Sequence, residues 1–502
     1  MDREPFCPPT STPLYDRRRL AAAASMLPEL WLQIPEWPSL GGGRRVLVIG
    51  GGIAGLSAAF GLRAAGFAPV VLERTARVGG RVYTQRQGFG DQYVELGATR
   101  IPGCHPLPLA YARHFGLPLI EYPGDELRQL YAVLDRSFAS SPLRGADYPG
   151  DLGLTPEEAR LDAEGLHHHY TERALGSFPD PRDADWPPPL VRDALKGQSF
   201  YDSLGRLGAS LAAREICRAY CGSVIEVYDA LAWLAGQRIE GAMHTAYAIA
   251  GGNDRLAACF AAALAGRIVC NAQVQAVRSQ ADGVQVDYVQ DGQPQSLTAD
   301  YAVCAVPHRL LLEIEFQPPL SAEKREAAAA VPMCSVTRLN FQFSRRFWSL
   351  DHGVRGLHVA CTTRPLERIW DLTAVQPGAS GILVAYAQHR HAEALDRLPS
   401  DEQRLQRGLD EIESLFPGAR GAFLTGQSFS WQQPWTQGAW PIFLPDQTRH
   451  IADFQHAEGR IYFAGDHATL HSAWVQGALE SAHFAVAEIV AAEKEARRGA
   501  RG

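Results

Sequence analysis

The chain has 502 residues, 46% of them hydrophobic and 21% charged, with a net charge of −7. At roughly 150 residues per domain this is about three domains of chain, with a globular rather than a disordered composition. The acidic balance excludes a basic nucleic-acid surface, and no run approaches the ~20 apolar residues of a membrane span.

Residues 1–43 precede the first regular element and read as a docking extension. They contain Arg17-Arg18-Arg19 and then an apolar piece, Leu20 to Leu27, which Ser25 interrupts and Pro28-Glu29 halts. This is a poor secretory signal and a weak twin-arginine one, so a cytoplasmic location is expected. Arg44 to Ile49 predicts a short buried strand of the parallel-sheet kind. It runs into Gly50-Gly51-Gly52-Ile53-Ala54-Gly55, whose glycines at 50, 52 and 55 fit GxGxxG. Leu56 to Gly66 predicts a helix and Ala68 to Leu72 a second strand, which Glu73 closes 23 residues after Gly50. Gly50 permits the tight turn, Gly52 lets the backbone approach a pyrophosphate, and Gly55 lets helix and strand pack closely. The helix N-terminus offers free N–H groups to phosphates, and Glu73 can accept hydrogen bonds from an adenosine ribose. Strand, turn, helix, strand and acid at this spacing predict a dinucleotide site. Next, Arg77-Val78-Gly79-Gly80-Arg81 would bring Arg81 and the Gly79-Gly80 backbone to a second face of the pyrophosphate.

Glu95 to Pro102 reads as a strand and turn that carries Arg100. Residues 131–244 change character: their first half is rich in Pro, Asp and Gly, and Trp186-Pro187-Pro188-Pro189 is a rigid break. Helical stretches such as Leu207 to Tyr220 follow. His167-His168-His169 cannot share one helical face, so a solvated polar segment is expected there rather than a metal site. Cys217 and Cys221 make only half a zinc site, and the nine cysteines read as buried free thiols in a reducing compartment. No metal is expected. Gly251 to Leu256, then Val274 in a strand, then Ala302 to Pro307 follow in order. Ser335 to Phe343 and Gly381 to Tyr386 are β-like. Arg460 to His467 predicts a strand and turn, and Ala473 to Ala478 opens a closing helix.

With Glu73 to Val82 at one end and Arg460 to Ala478 at the other, the chain resembles the flavin amine oxidase family over roughly residues 44–492. Gly251 to Leu256 and Ala302 to Pro307 are softer matches between them. The family includes monoamine, polyamine and L-amino acid oxidases. The resemblance implies an α/β fold: a Rossmann-like FAD-binding domain of the glutathione-reductase and amine-oxidase type, a mixed-sheet substrate domain and a helical insertion. It divides the chain into FAD-domain pieces at 44–98, 245–325 and 453–493, substrate-domain pieces at 99–130 and 326–452, the insertion at 131–244 and a tail at 494–502. It implies FAD contacts at Gly50, Gly52, Ile53, Ala54, Gly55, Glu73, Arg74, Gly80 and Arg81. Further contacts are implied at Gly97, Ala98, Thr99, Arg100 and Val274, and at Gly465, Asp466, Ala473, Trp474, Val475 and Ala478. Some relatives attach flavin through a cysteine in the closing motif; Asp466 to Trp474 has none, so the FAD is expected to be non-covalent. A homodimer is implied by the same resemblance.

Gly97 to Pro102 matches the Gly-x-x-Arg-(aliphatic)-Pro motif with which L-amino acid oxidases hold the substrate α-carboxylate, through the residue that is Arg100 here. A guanidinium grips a carboxylate bidentately and stays charged; the alternative is a structural salt bridge. Trp474 and the Ala473 backbone are expected to flank the amino group, and Trp435 to form a second aromatic wall or to lie in the core. Most members carry a lysine near flavin N5. Arg338 takes that position here, and Lys196, Lys324 and Lys494 are all distant in sequence. Arg338 keeps the charge but cannot act as a base, which leaves the reaction with oxygen open. In place of a supporting tyrosine the chain has Trp370-Asp371, and Asp371 either meets a cationic substrate side chain or caps a loop. The expected reaction is hydride transfer from Cα of an L-amino acid, giving 2-oxo acid, ammonia and H2O2 from water and O2. A monoamine or polyamine oxidase, and a flavin dehydrogenase or oxidative decarboxylase, are the alternatives.

Overall fold

The structure, a computed structural model, describes residues 41–123, 128–176, 178–181, 183, 186–240 and 245–499. The Arg17-Arg18-Arg19 cluster and Cys7 lie outside the described residues. The other eight cysteines are free thiols; Cys104, Cys259 and Cys270 are half-buried and the rest buried.

The strand Arg45–Ile49 sits at the centre of a five-stranded sheet, and every strand pair in it is parallel. Across the sheet the order is Ile268–Val269, Ala68–Leu72, Arg45–Ile49, Tyr301–Cys304 and Ile461–Phe463. Three distant stretches of chain therefore share one sheet. Val46, Leu47 and Val48 have no exposed surface, as both faces of a parallel sheet are covered. Each such side chain contributes ~1.5–3 kcal/mol by its burial. The helix Ile53–Ala64 follows the first strand and packs along the closing helix Val475–Gly499. That closing helix runs through most of the expected tail at 494–502.

A second, eight-stranded sheet has the fully buried strands Val336–Phe343 and Gly381–Gln388 toward one side, just inside the edge strand Phe423–Ser430. Its far edge departs from expectation. Gln129–Val133, Arg136–Ser141 and Gly145–Ala146 continue this sheet, so the helical insertion does not begin at 131. The join is a parallel pairing of Leu130 to Ala132 with Ala360 to Thr362. Turn residues Leu134 and Asp135, both at positive φ, close the hairpin that follows. A run rich in Pro, Asp and Gly marks turns, and here the turns belong to short strands. The helices of the insertion start at Ala163. Leu207 to Tyr220 is not one helix: Phe200–Arg206 ends before Gly208, at φ 87°, and Leu211–Cys221 restarts under a Ser210 cap. The strand Ala246–Ile249 pairs with Ile101–Pro102 and Leu119–Glu121, inside the piece expected for the substrate domain.

Candidate active site

The parallel sheet, the large sheet and the insertion helices enclose one long cavity of about 1120 Å³. At one end the turn after the first strand delivers Gly50, Gly52, Ile53 and Ala54 to its wall. Gly52 caps the helix in an extended conformation with no side chain bonded to the first turn, so the leading N–H groups are free. The second glycine loop lies against the first. Gly79 N–H donates to Gly51 O at 2.8 Å, and a Cβ on Gly80 would stand 3.1 Å from Gly52 Cα. Gly55 does not line the cavity. A Cβ there would lie 1.9 Å from Gly50 O, so its role is the close packing of helix on turn, not ligand contact.

The Glu73 carboxylate lines the same end. One oxygen accepts from Gly51 N–H at 2.7 Å; the other accepts from the Thr75 N–H and hydroxyl at 2.8 and 2.7 Å. Arg74 and Val274 complete that wall. Arg81 forms a bidentate ion pair with Asp466, and Asp466 also accepts from Ala473 N–H at 3.2 Å. Ala473 takes φ 70°, a left-handed conformation unusual for a residue with a Cβ, and this turns Trp474 into the cavity ahead of the closing helix. Gly465, Val475 and Ala478 line the wall beside it. Free helix amides, two touching glycine loops and a carboxylate at the end of the second strand fit the phosphates and ribose of a dinucleotide.

The other end is built from side chains. Gly97, Ala98, Thr99 and Arg100 form its floor. The Arg100 guanidinium carbon lies 5.4 Å from the Trp474 ring centre and 5.7 Å from that of Trp370. Burial, then the nearby Arg368, lowers the Arg100 pKa. Among the described residues no carboxylate forms an ion pair with Arg100, so the structural salt bridge is not seen. Trp370 stacks on Tyr386 at 4.6 Å.

Arg338 is buried at the cavity wall, and its two terminal nitrogens donate to the backbone carbonyls of Glu95 and Gly97. Desolvation lowers its pKa to about 10. It clamps the turn that presents Arg100, which the sequence did not indicate. Asn253 braces the same turn through Ala98 O and Thr99 O at 2.9 and 3.0 Å, while its N–H donates to the Glu95 carboxyl at 2.8 Å.

Of its two readings Asp371 takes the structural one rather than substrate contact, and the expectations for Trp435 and the triple histidine are corrected. Asp371 does not line the cavity; it accepts from Trp348 Nε1 at 3.0 Å and from the Thr373 N–H and hydroxyl at 2.9 and 2.6 Å. Alternation along the strand Arg368–Asp371 is the reason: Arg368 and Trp370 face the cavity, and Ile369 and Asp371 do not. Trp435 lines the cavity beside the glycine loops, 5.0 Å from the Arg77 guanidinium and edge-on to Trp431. The second ring near Arg100, besides Trp474, is Trp370 instead. The triple histidine is not uniformly solvated. His167 is buried, lines the cavity with His168, and has its pKa lowered to about 4 by desolvation. Among the described residues no group of three His, Cys, Asp or Glu side chains could hold a metal ion. Sequence reasoning missed Arg368, His358 and Tyr386, all on the cavity wall. The period of two in Arg368-Ile369-Trp370 was the available signal.

The parallel βαβ sheet with its paired glycine loops, and the aromatic chamber beyond them, fit a flavin-dependent oxidoreductase. The family model described as flavin containing amine oxidoreductase matches residues 53–490, and the chain belongs to that family. It is similar to an L-amino-acid oxidase of Siganus canaliculatus, 28% identical over 90% of this chain and 86% of the relative. A putative L-amino-acid oxidase of Bacillus subtilis (strain 168) is 29% identical, over 87% of this chain and 93% of its own length. Among solved structures, cyclohexylamine oxidase from Brevibacterium oxydans superposes with a TM-score of 0.76 at 20% identity, over 89% of this chain and 99% of that one. Wild-type putrescine oxidase bound to putrescine gives 0.74 at 23% identity, with the same coverage. These two carry the fold alone.

Proposed function

We propose that the protein is an L-amino acid oxidase with non-covalently held FAD. The observation that supports this most is Arg100: a guanidinium within 6 Å of two indole rings, on the cavity wall, with no carboxylate of the described residues in an ion pair with it. A buried charge of that kind calls for an anionic partner, and a substrate α-carboxylate supplies two oxygens for its fork. When bound, the flavin supplies the two-electron acceptor and passes the electrons on to O2. The chain's own residues hold the carboxylate at Arg100, confine Cα between Trp370 and Trp474, and exclude water so that the free amine is favoured. The net reaction is amino acid, water and O2 to 2-oxo acid, ammonia and H2O2. The free helix amides at Gly52 and the Glu73 carboxylate support FAD as the dinucleotide. The absence of cysteine from Asp466 to Trp474 supports non-covalent attachment, so acid precipitation should release the flavin.

The arginine in the lysine position favours one second reading, a flavin dehydrogenase. Both Arg338 terminal nitrogens are occupied by carbonyls, which leaves the guanidinium fewer donors to offer a water near the flavin. We also infer a homodimer, by family resemblance, and a cytoplasmic location. Anaerobic bleaching of the bound flavin by L-amino acids and by their decarboxylated amines tests the main reading. Reduction by the amino acids and not by the amines is the expected result; reduction by the amines alone would sink it. Oxygen uptake compared with an artificial acceptor separates oxidase from dehydrogenase.

A further inference from the structure

The chamber around Arg100 contains more positive charge than one α-carboxylate balances. Arg368 lies on its wall beside Tyr386, Gln388 and His358. Its guanidinium carbon is 5.4 Å from the Trp370 ring centre and 5.3 Å from that of Tyr386. Its Nε is buried with no hydrogen-bond partner. Among the described residues no carboxylate forms an ion pair with it. The adjacent Glu367 is engaged elsewhere, accepting from the N–H groups of Ser223 and Gln388, each at 3.1 Å, and lying 3.0 Å from His391. Asp466 is taken by Arg81. His358, stacked on Trp370 at 6.1 Å, is held neutral by burial and by Arg100 and Arg368, so it adds no charge and can serve as a polar neighbour. Arg338, the third guanidinium near the Trp370 ring, spends its terminal donors on carbonyls.

Two guanidiniums thus line one chamber with no ion-pair partner among the described residues, Arg368 half-buried with its Nε buried and unbonded, an arrangement that an entering anion would stabilise. We propose that the substrate is an L-amino acid with a second carboxylate in its side chain, the α-carboxylate on Arg100 and the distal one on Arg368. This rests on the amino-acid oxidase reading, and the redox step is unchanged: Cα–H and the amine lose two electrons and two protons, O2 gains them, and water hydrolyses the imine. Placed between the arginines, a dicarboxylate balances both charges. A neutral amino acid leaves the half-buried Arg368 without an ion pair and its buried Nε unbonded, and an amide analogue cannot offer it an anion.

The test uses the flavin-loaded enzyme. Anaerobic bleaching is followed with L-glutamate, L-aspartate, L-glutamine, L-asparagine, L-leucine, 4-aminobutyrate and butylamine. The better dicarboxylate should exceed its own amide by roughly 100-fold in the ratio of reduction rate to Kd, and Arg368→Gln should collapse that ratio below about fivefold. Calorimetry gives a readout independent of turnover: glutarate or succinate should bind the wild type at least about tenfold tighter than butyrate, and Arg368→Gln should erase the difference. If L-glutamine or L-leucine matches the dicarboxylates on the wild type, the proposal falls while the amino-acid oxidase reading stands. If butylamine bleaches the flavin and no α-amino acid does, both fall.

Discussion

The two ends of the cavity are made from different materials. The dinucleotide end is mostly backbone: amides at Gly52, a Gly51–Gly79 contact and a glycine at 55 that no larger residue can replace without a clash. The substrate end is mostly side chains, with Arg100 on a turn, Arg368 and Trp370 on one strand, and Arg338 and Tyr386 on two others. A backbone site is written as contiguous sequence, because consecutive residues must adopt one local path. A side-chain site is assembled by sheet register, and single substitutions change it without disturbing the fold.

That contrast can be broken at the substrate end first. Arg100→Ala should raise KM for the amino-acid substrate by an amount equivalent to roughly 2–4 kcal/mol, by removing a charge-assisted bidentate contact. The decarboxylated amine should be affected far less; equal losses would make Arg100 structural. The dinucleotide end should respond in stability instead. Gly55→Ala pushes a Cβ against Gly50 O and should cost ~3 kcal/mol in denaturant melts, with loss of flavin from the purified protein. Unchanged flavin content and stability would refute the packing role.

Arg338→Met joins the two ends. Two carbonyls lose their charged donor, so ~2 kcal/mol of stability should go, and flavin reduction should slow about tenfold through the loosened Arg100 turn. If stopped-flow shows only reoxidation slowed, Arg338 acts on oxygen and not on the turn. Glu95 tests the same turn by pH. Burial pushes its carboxyl up to about 8, against ~4.3 for an unfolded glutamate. Between those values the unfolded chain releases a proton that the folded chain retains, so this group lowers stability as pH rises from ~4.5 to ~8. Glu95→Gln should flatten that fall by about 1 kcal/mol or more in melts between pH 5 and 8. The smallest effect belongs to Asp371→Asn: with no place on the cavity wall, it should leave KM within about twofold while lowering the melting temperature by a few degrees.

The same division explains what was legible in the sequence. The strand at 45–49, the strand at 68–72 and Glu73 could be placed from spacing alone, since GxGxxG and its flanks fix each position relative to the next. Arg100 and Trp474 were reachable because each lies in a short motif. Arg368 and Asp371 were not separable until the pairing of the strand Arg368–Asp371 fixed which of them faces inward, and a shift of one residue would exchange them. The strands from 129 to 146 were hidden for a related reason. Each is short, and the hairpins become a sheet edge only by pairing in parallel with Ala360 to Thr362, more than two hundred residues away.

The five-stranded sheet also sets a schedule for the chain's own making. Its central strand leaves the ribosome early, one neighbour comes at Tyr301–Cys304, and the outermost strand arrives only at Ile461–Phe463. At ~5–20 residues per second, roughly 20–80 s separate the first strand from the last. Through that interval the nascent sheet would expose an apolar, unpaired edge, the kind of surface that chaperones bind and that promotes aggregation. Slowing synthesis should not rescue soluble yield, because the sheet stays incomplete until Ile461–Phe463 is made; supplying more chaperone for the waiting edge should.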